Sequence, residues 1–222
     1  ENASLMPALI NTVIMTLLSL LLAVPIGIFS AIFLAEYAGK GNKFVDIIRL
    51  TTETLSGIPS IVYGLFGMLF FVSTCHWGFS LLAGAFTLAI MILPLIMRTT
   101  EEALLSVPDS YREGSFGLGA GKLRTVFYIV LPSAVPGILA GVILAIGRIV
   151  GETAALIYTA GSVAQVPSSV LGSGRTLAVH MYLLASEGLY MDQAYATAVI
   201  LLVLVVVINT LSGIVAKRLT KA

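Results

Sequence analysis

Two arginines of this chain lie within or directly after long apolar stretches. Arg148 lies in the middle of the stretch from Ser133 to Tyr158, and Arg98 follows the stretch from Phe79 to Met97. A charge at bilayer depth costs about 2.5–3.5 kcal/mol on insertion scales, so it must face a partner or a water-filled path. An arginine suits an oxyanion, because its planar guanidinium donates two parallel hydrogen bonds.

Two carboxylates accompany these arginines at helical spacing, since Glu101 follows Arg98 by one turn and Glu152 follows Arg148 by one turn. In one interpretation, Arg148–Glu152 and Arg98–Glu101 are intrahelical ion pairs that only neutralise each other. In the other, at least one arginine lines a path for an anion, and its glutamate holds it when the anion is absent. We expect Arg148, Glu152, Arg98 and Glu101 to lie along a substrate path.

The other polar groups form no recognisable catalytic or metal site. The run from Gly117 to Lys122 has the glycines of a phosphate-binding loop, but Phe116 and Leu123 stand where that loop needs Gly and Ser or Thr. His76 and His180 have no carboxylate or thiol at metal-ligand spacing, and we expect them at surfaces or interfaces. We therefore predict that this chain is not an enzyme and holds no metal or cofactor.

The composition indicates an integral membrane protein. Hydrophobic residues make up 58% of the 222 residues, charged residues make up 10%, and the mean hydropathy is +1.04, whereas a soluble domain carries about 25% charged residues. The apolar runs have the length of helices, so we predict an all-α transmembrane bundle. Its five predicted spans are residues 8–34, 58–72, 79–97, 133–158 and 194–216. Gly137, Gly141, Gly147 and Gly151 form two small-xxx-small pairs, which predict close helix contact.

The basic residues predict the orientation of the spans. If five spans alternate, all but two of the twelve lysines and arginines fall on one side, with Arg175 on the other side and Arg148 within a span. An excess of Lys and Arg marks the cytoplasmic side, so we predict an external amino terminus and a cytoplasmic carboxyl terminus. Because the chain starts with Glu1 and no basic segment precedes the first span, we also expect it to be part of a longer protein.

The charged segment from Glu101 to Pro132 lies on the cytoplasmic side in this topology. Pro108 suits the first turn of a helix, and Asp109-Ser110 offers N-cap groups. Leu118-Gly119 then interrupts the helical pattern, which resumes at Lys122. A charged helix–Gly–helix segment between spans is typical of a surface on which a soluble protein docks.

This segment resembles the EAA loop of ABC importer permeases. That motif reads Glu-Ala-Ala, three residues, Gly, nine residues and Ile-x-Leu-Pro, and the chain has Glu113-Gly114-Ser115, then Gly119, then Ile129-Val130-Leu131-Pro132 at the same spacing. The resemblance implies that residues 1–222 form one permease domain of the type I importer kind, and that a loop at about 101–132 couples it to cytosolic ATPases. The coupling residues are then Asp109, Arg112, Glu113, Gly114, Ser115 and Gly119.

Four further stretches resemble the phosphate permeases of the PstA type: Leu55–Gly67, Ile92–Ala103, Gly147–Ala154 and Gly174–His180. The resemblance implies a six-span subunit, of which the first helix is then missing here. It places Arg98, Glu101 and Arg148 at charged positions linked to phosphate passage. It also implies a bacterial or archaeal cytoplasmic membrane, a PstC-like second permease, two PstB-like ATPase subunits that bind the ATP, and an external phosphate-binding protein.

Two alternative functions stay open. A permease for another oxyanion, molybdate or sulfate, could carry the same arginines, and substrate competition would distinguish it. A secondary transporter would also place charges within the membrane, but it would often show two related halves. No internal repeat is visible in this sequence.

Overall fold

The structure is a computed structural model that describes residues 4–38, 41–188 and 190–221. Its α-helices in chain order are α1 (Leu5–Ile32), α2 (Lys43–Ser56), α3 (Ser60–Gly67), α4 (Leu81–Leu105), α5 (Asp109–Gly117), α6 (Lys122–Thr125), α7 (Leu131–Val150), α8 (Ala154–Ile157), α9 (Leu177–Glu187) and α10 (Met191–Lys221). The π-helical turns Phe33–Tyr37, Met68–Thr74 and Val126–Val130 extend α1, α3 and α6. The predicted all-α architecture is confirmed.

Four helical segments within the described ranges are long and apolar enough to cross a membrane: Leu5–Tyr37, Leu81–Leu105, Lys122–Val150 and Met191–Val215. The pair Lys43–Ser56 and Ser60–Thr74 becomes a fifth candidate when it is taken as one span bent by 101°. Pro59 explains the bend, because proline has no N–H with which to continue the hydrogen bonding of α2. The structure thus has four candidate spans, or five as predicted if this pair is counted, and the predicted span at residues 58–72 corresponds to the second helix of the pair.

The fourth span differs from its predicted bounds at both ends. It begins at Lys122 and not at Ser133, because α6, its π-helical turn and α7 are continuous. Its helix ends at Val150 and not at Tyr158. The Gly151 N–H still donates to the Gly147 carbonyl (3.3 Å), the Glu152 N–H donates to the Ile149 carbonyl (3.1 Å) in a tighter turn, and Thr153 (φ −121°) then leaves helical geometry. The continuous helix predicted from Ser133 to Tyr158 is therefore interrupted just after Arg148 and its neighbours.

The chain divides into two compact units. Unit 1 consists of Glu1–Ala23, Gly57–Ile92 and Ile146–Asn209. Unit 2 consists of Val24–Ser56, Leu93–Ala145 and Thr210–Ala222. That residues 1–222 act as a single permease domain stays a prediction.

In unit 1, small residues let α3 lie directly against the segment around α8. A Cβ atom at Gly64 would lie 2.8 Å from the Cα of Ala155, and one at Gly67 would lie 2.7 Å from the Cγ2 of Thr159. Contacts below 3.0 Å do not occur between real Cβ atoms and their neighbours. These two positions therefore need glycine if α3 is to approach so closely.

A buried polar contact joins α1 to the start of α9 in the same unit. The Asn11 side chain donates hydrogen bonds to the carbonyls of Gln165 (2.9 Å) and Arg175 (3.1 Å), and the Leu177 N–H donates to the Thr12 hydroxyl (2.8 Å). His180, one turn into α9, has a fully buried side chain. The expectation that His180 lies at a surface or interface was wrong, because the amino-terminal half of α9 packs into the interior of unit 1.

Burial lowers the pKa of His180 to about 4, and the positive charge of Arg175 adds to the effect. The neutral ring is therefore the form that the folded protein stabilises, while the unfolded chain binds a proton below its ordinary value of about 6.5. Folding stability is thus full above that value and falls as the pH is lowered from about 6.5 towards 4.

We expect the thermal unfolding midpoint in detergent to fall over this pH interval, with a loss of up to about 3 kcal/mol at pH 4. His180→Leu should flatten the dependence. The matched control is His76→Leu, which changes the chain's other, exposed histidine and should keep the slope. An unchanged slope in His180→Leu would contradict the assignment.

In unit 2, the ends of three spans enclose an apolar core. The buried residues of this core are Ile32, Ala103, Leu104, Val107, Val126, Val130, Ala134 and Ile138. They come from α1, from the end of α4 and the turn after it, and from the continuous α6–α7 segment. The core therefore fixes the ends of these spans beside α5.

Glycines also set the distance between α7 and α4. A Cβ atom at Gly137 would lie 2.6 Å from the Cβ of Ala103, and one at Gly141 would lie 2.7 Å from the Cβ of Thr99. The close contact predicted for this first small-xxx-small pair is confirmed. At Gly147, by contrast, a Cβ atom would meet no described atom within 4 Å.

We expect Gly141→Ala to lower the stability of the protein by about 1–3 kcal/mol, because the added methyl group overpacks the helix contact. Gly147→Ala, in the same helix, should be neutral or stabilise by up to about 1 kcal/mol through its helix propensity. Thermal unfolding in detergent measures both changes. Equal midpoints for the two variants would count against the close contact.

Candidate translocation and coupling sites

The predicted coupling segment, residues 101–132, contains a short helix, α5, with defined ends. Pro108 precedes α5 in an extended conformation (φ −56°, ψ 138°), and Asp109 is the first helical residue. At the other end, the Ala120 N–H donates to the Ser115 carbonyl (3.1 Å) and the Gly119 N–H donates to the Phe116 carbonyl (2.9 Å). These two bonds form a Schellman motif, with Gly119 at φ +82°. The predicted helix–Gly–helix segment is confirmed.

The predicted coupling residues separate onto two faces of α5. Asp109, Glu113, Gly114 and Gly119 are exposed, and they lie beside apolar side chains that are exposed as well. Those side chains are Tyr111, Phe116 and Leu118. A groove lined by Tyr111, Gly114, Ser115 and Leu118 runs along α5 as far as Arg124. An exposed face that combines apolar and charged groups suits a protein partner.

Arg112 lies on the opposite face and binds groups of this chain. Its Nη2 atom donates to Glu36 Oε1 (2.6 Å) and to the Leu104 carbonyl (2.9 Å), and its Nε atom donates to the same carboxylate (3.2 Å). Its Nη1 atom donates to the Val107 carbonyl (2.7 Å) and to Asp109 Oδ1 (3.2 Å). The Glu36 carboxylate raises the pKa of Arg112, chiefly through these hydrogen bonds.

Two further contacts connect α6 to the end of the first span and to α5. The Nζ atom of Lys122 lies 5.1 Å from the centre of the Tyr37 ring, within the range of a cation–π interaction. The hydroxyl oxygens of Ser115 and Thr125 are 2.8 Å apart and share a hydrogen bond. The residues Glu36 and Tyr37 at the end of the first span therefore contact both α5 and α6.

The two path residues of unit 2 are paired differently from the predicted ion pair. Arg98 Nε lies 2.9 Å from Glu102 Oε1, and Glu101 Oε1 lies 2.7 Å from Nη2 of Arg49 on α2. Both pairs line one cleft together with Thr52. Sequence reasoning missed Glu102, although its spacing of four residues from Arg98 was visible, and it missed Arg49, which is remote in the sequence.

In unit 1, Arg148 is half-buried near the end of α7. The ion pairs formed by the described residues involve Arg49, Arg98 and Arg112, and Arg148 takes part in none of them. The Oε1 atom of Glu152 accepts a hydrogen bond from the Ala155 N–H (3.0 Å) at the start of α8 instead. Tyr63, a buried residue of α3 that the sequence analysis did not single out, interacts electrostatically with Arg148.

These observations separate the predicted path residues into two kinds. Arg98, Glu101 and their partners form ion pairs, whereas Arg148 forms no ion pair with a described carboxylate. A half-buried guanidinium can bind an oxyanion through charge-assisted hydrogen bonds. The role of all four residues in a substrate path stays a prediction.

Comparisons with known proteins agree with this architecture. The family described as binding-protein-dependent transport system inner membrane component matches residues 23–221. A probable ABC transporter permease protein, YqgI of Bacillus subtilis (strain 168), is 36% identical over 96% of this chain and 79% of its own length. The phosphate transport system permease protein PstA of Pasteurella multocida (strain Pm70) is 36% identical over 96% of this chain and 76% of its own length.

Other relatives are longer than the matched region, and solved structures share the fold. PstA 2 of Mycobacterium bovis is 41% identical over 72% of this chain, but the match spans only 53% of that protein. An inward-facing structure of the MetNI methionine ABC transporter has a TM-score of 0.79 at 22% identity and covers 97% of this chain and 96% of its own. A bacterial alginate ABC importer has a TM-score of 0.75 at 17% identity and covers 97% of this chain and 79% of its own.

The solved structures thus confirm the predicted fold of a type I importer permease. The relatives are similar to this chain in amino-acid sequence as well. The family match spans nearly all of the described helices, including the coupling segment and α7. The chain is a multi-pass membrane protein, and it belongs to the family of binding-protein-dependent transport system inner membrane components.

Proposed function

We propose that this chain is the permease subunit of an ATP-driven importer of inorganic phosphate. The observation that carries the proposal is the half-buried Arg148, which no described carboxylate neutralises, in a chain whose relatives include proteins named phosphate transport system permease. Phosphate offers several oxygen acceptors to a guanidinium. Arg148 would meet the anion within the membrane.

The path residues of unit 2 suit a later, weaker contact with the anion. The Arg98–Glu102 pair is exposed, with 58% and 64% of the two side chains accessible to solvent. Such exposed pairs contribute about 0–1 kcal/mol, so Arg98 can exchange Glu102 for a passing oxyanion at little cost. Weak binding of this kind is what release of a transported ion requires.

In this proposal, the movement of the ATPase subunits is transmitted to the permease through the outer face of α5. In this proposal, two PstB-like ATPase subunits bind and hydrolyse the ATP, and one of them receives α5 in a groove. A PstC-like permease completes the path, and a phosphate-binding protein delivers the anion outside a bacterial or archaeal cytoplasmic membrane. This chain itself changes no covalent bond.

The first test is phosphate uptake by the full-length permease, reconstituted with its partner permease, its ATPases and its binding protein. We expect Arg148→Gln to reduce uptake about 10- to 100-fold, because hydrogen bonds to charged groups are worth about 1.5–3 kcal/mol. Arg148→Lys should retain part of the activity, since lysine keeps the positive charge but lacks the planar guanidinium that donates two parallel hydrogen bonds. The matched control is Lys43→Gln, which removes an exposed positive charge at the start of α2.

The same assay identifies the substrate. Uptake by the wild type should persist in excess sulfate or molybdate if phosphate is the cargo. Abolition by either competitor would assign the permease to that oxyanion, and normal uptake by an assembled Arg148→Gln variant would remove Arg148 from the path.

A second test concerns the turn that ends α5. We expect Gly119→Ala to weaken copurification with the ATPase or ATP-driven uptake severalfold, because a non-glycine residue at φ +82° costs about 1–2 kcal/mol. Gly121→Ala is the control, since Gly121 has φ −74° and a Cβ atom there would meet no described atom within 4 Å. If Gly119→Ala behaves like Gly121→Ala in both assays, the turn does not position the docking helix.

A further inference from the structure

Arg112 is oriented away from the surface on which an ATPase would dock. Only 15% of its side chain is exposed, and that of Glu36 is 8% exposed. All three guanidinium nitrogens donate hydrogen bonds within this chain. Although Arg112 directly precedes the Glu113-Gly114-Ser115 motif, its guanidinium donates its hydrogen bonds to groups of this chain.

The contacts of Arg112 join α5 to the ends of two membrane spans. Leu104 lies in the last turn of α4 and Val107 lies just beyond it, and the last carbonyls of a helix have no partner within the helix. A cation is favoured at this end of a helix by the helix dipole as well. Glu36 lies in the π-helical turn that ends the first span.

The end of the first span is attached to the coupling segment a second time. Tyr37, the residue after Glu36, lies against Lys122 at the start of the fourth span. The hydrogen bond between Ser115 and Thr125 closes the connection between α5 and α6. Polar contacts therefore connect α5 to three spans. Arg112 binds the ends of the first and third spans, and Ser115 binds Thr125 near the start of the fourth.

We propose that Arg112 and Glu36 form a positioning pair, which makes the first and third spans follow α5 when α5 moves. This inference rests on the proposed function only in taking α5 as the element that an ATPase moves. Arg112 then belongs to the transmission of movement and not to docking. Loss of the pair should leave the ATPase bound but reduce the transport obtained from each ATP.

The test compares Arg112→Gln, Glu36→Gln and the double variant in the reconstituted full-length complex. We expect each single variant to copurify with the ATPase as the wild type does, while phosphate transported per ATP hydrolysed falls about tenfold, the effect of losing about 1.4 kcal/mol. The double variant should be no worse than Arg112→Gln, because Arg112→Gln already removes the bond to Glu36 together with the bonds to the Leu104 and Val107 carbonyls. The transport per ATP of Arg112→Lys should lie between those of wild type and Arg112→Gln, because lysine keeps the positive charge but lacks the planar guanidinium.

The matched control is Glu113→Gln, which changes a neighbouring charge on the exposed outer face of α5 and should affect copurification first. Loss of ATPase copurification in Arg112→Gln but not in Glu36→Gln would overturn the proposal, because Arg112 would then act in docking. Additive losses in the double variant, or a normal transport ratio in the single variants, would overturn it as well.

A readout without phosphate separates this proposal from the choice of substrate. Spin labels at Ser110→Cys on α5 and Phe33→Cys at the end of the first span, in a Cys75→Ser background, report the distance between two exposed positions of unit 2. In wild type we expect one distance distribution with and without ATP, and in Arg112→Gln and Glu36→Gln a broader distribution once ATP is added. If both variants keep the narrow distribution, the pair does not hold α5 to the span, whichever ion the transporter carries.

Discussion

An arginine in or beside a membrane must meet an acceptor, and the acceptor it meets determines what it can do. Arg112 and Glu36 form a largely buried pair, and removing one partner of such a pair is costly because the other charge stays buried. Arg98 and Glu102 form an exposed pair that water and salt weaken. The first arrangement suits a permanent mechanical connection, and the second suits an arginine that exchanges partners.

Arg148 differs from both, because the glutamate four positions further along the chain binds a different group. In a continuous helix, Glu152 would lie on the same face as Arg148 and could pair with it. The helix ends at Val150, and the carboxylate of Glu152 accepts the Ala155 N–H at the start of α8. Arg148 therefore forms no ion pair with a described carboxylate, and its guanidinium is left to bind another acceptor.

The sequence predicted those features that depend on local patterns. Hydrophobic length and composition predicted the spans, Gly119 predicted the end of α5, and the spacing of Gly137 and Gly141 predicted a close helix contact. Helical spacing failed for Glu152, because it assumes a continuous helix, and it could not find the pairing of Glu101 with Arg49 across 52 positions of sequence. The burial of His180 was missed for the same reason, since it follows from packing against distant parts of unit 1.

The nine residues of α5 contact the ends of the membrane spans and also leave side chains exposed to a partner. Arg112 and Ser115 are only partly exposed, and their side chains bind Glu36 and Thr125. Asp109, Glu113, Gly114 and Phe116 are exposed, and the Schellman motif at Gly119 ends the helix before a longer outer face could form. A partner that binds the outer face therefore pushes on a short, rigid element whose inner face is already bonded to the first and third spans. Gly114 contributes the absence of a side chain on the outer face, which lets a partner's groove come close to the backbone that carries Arg112.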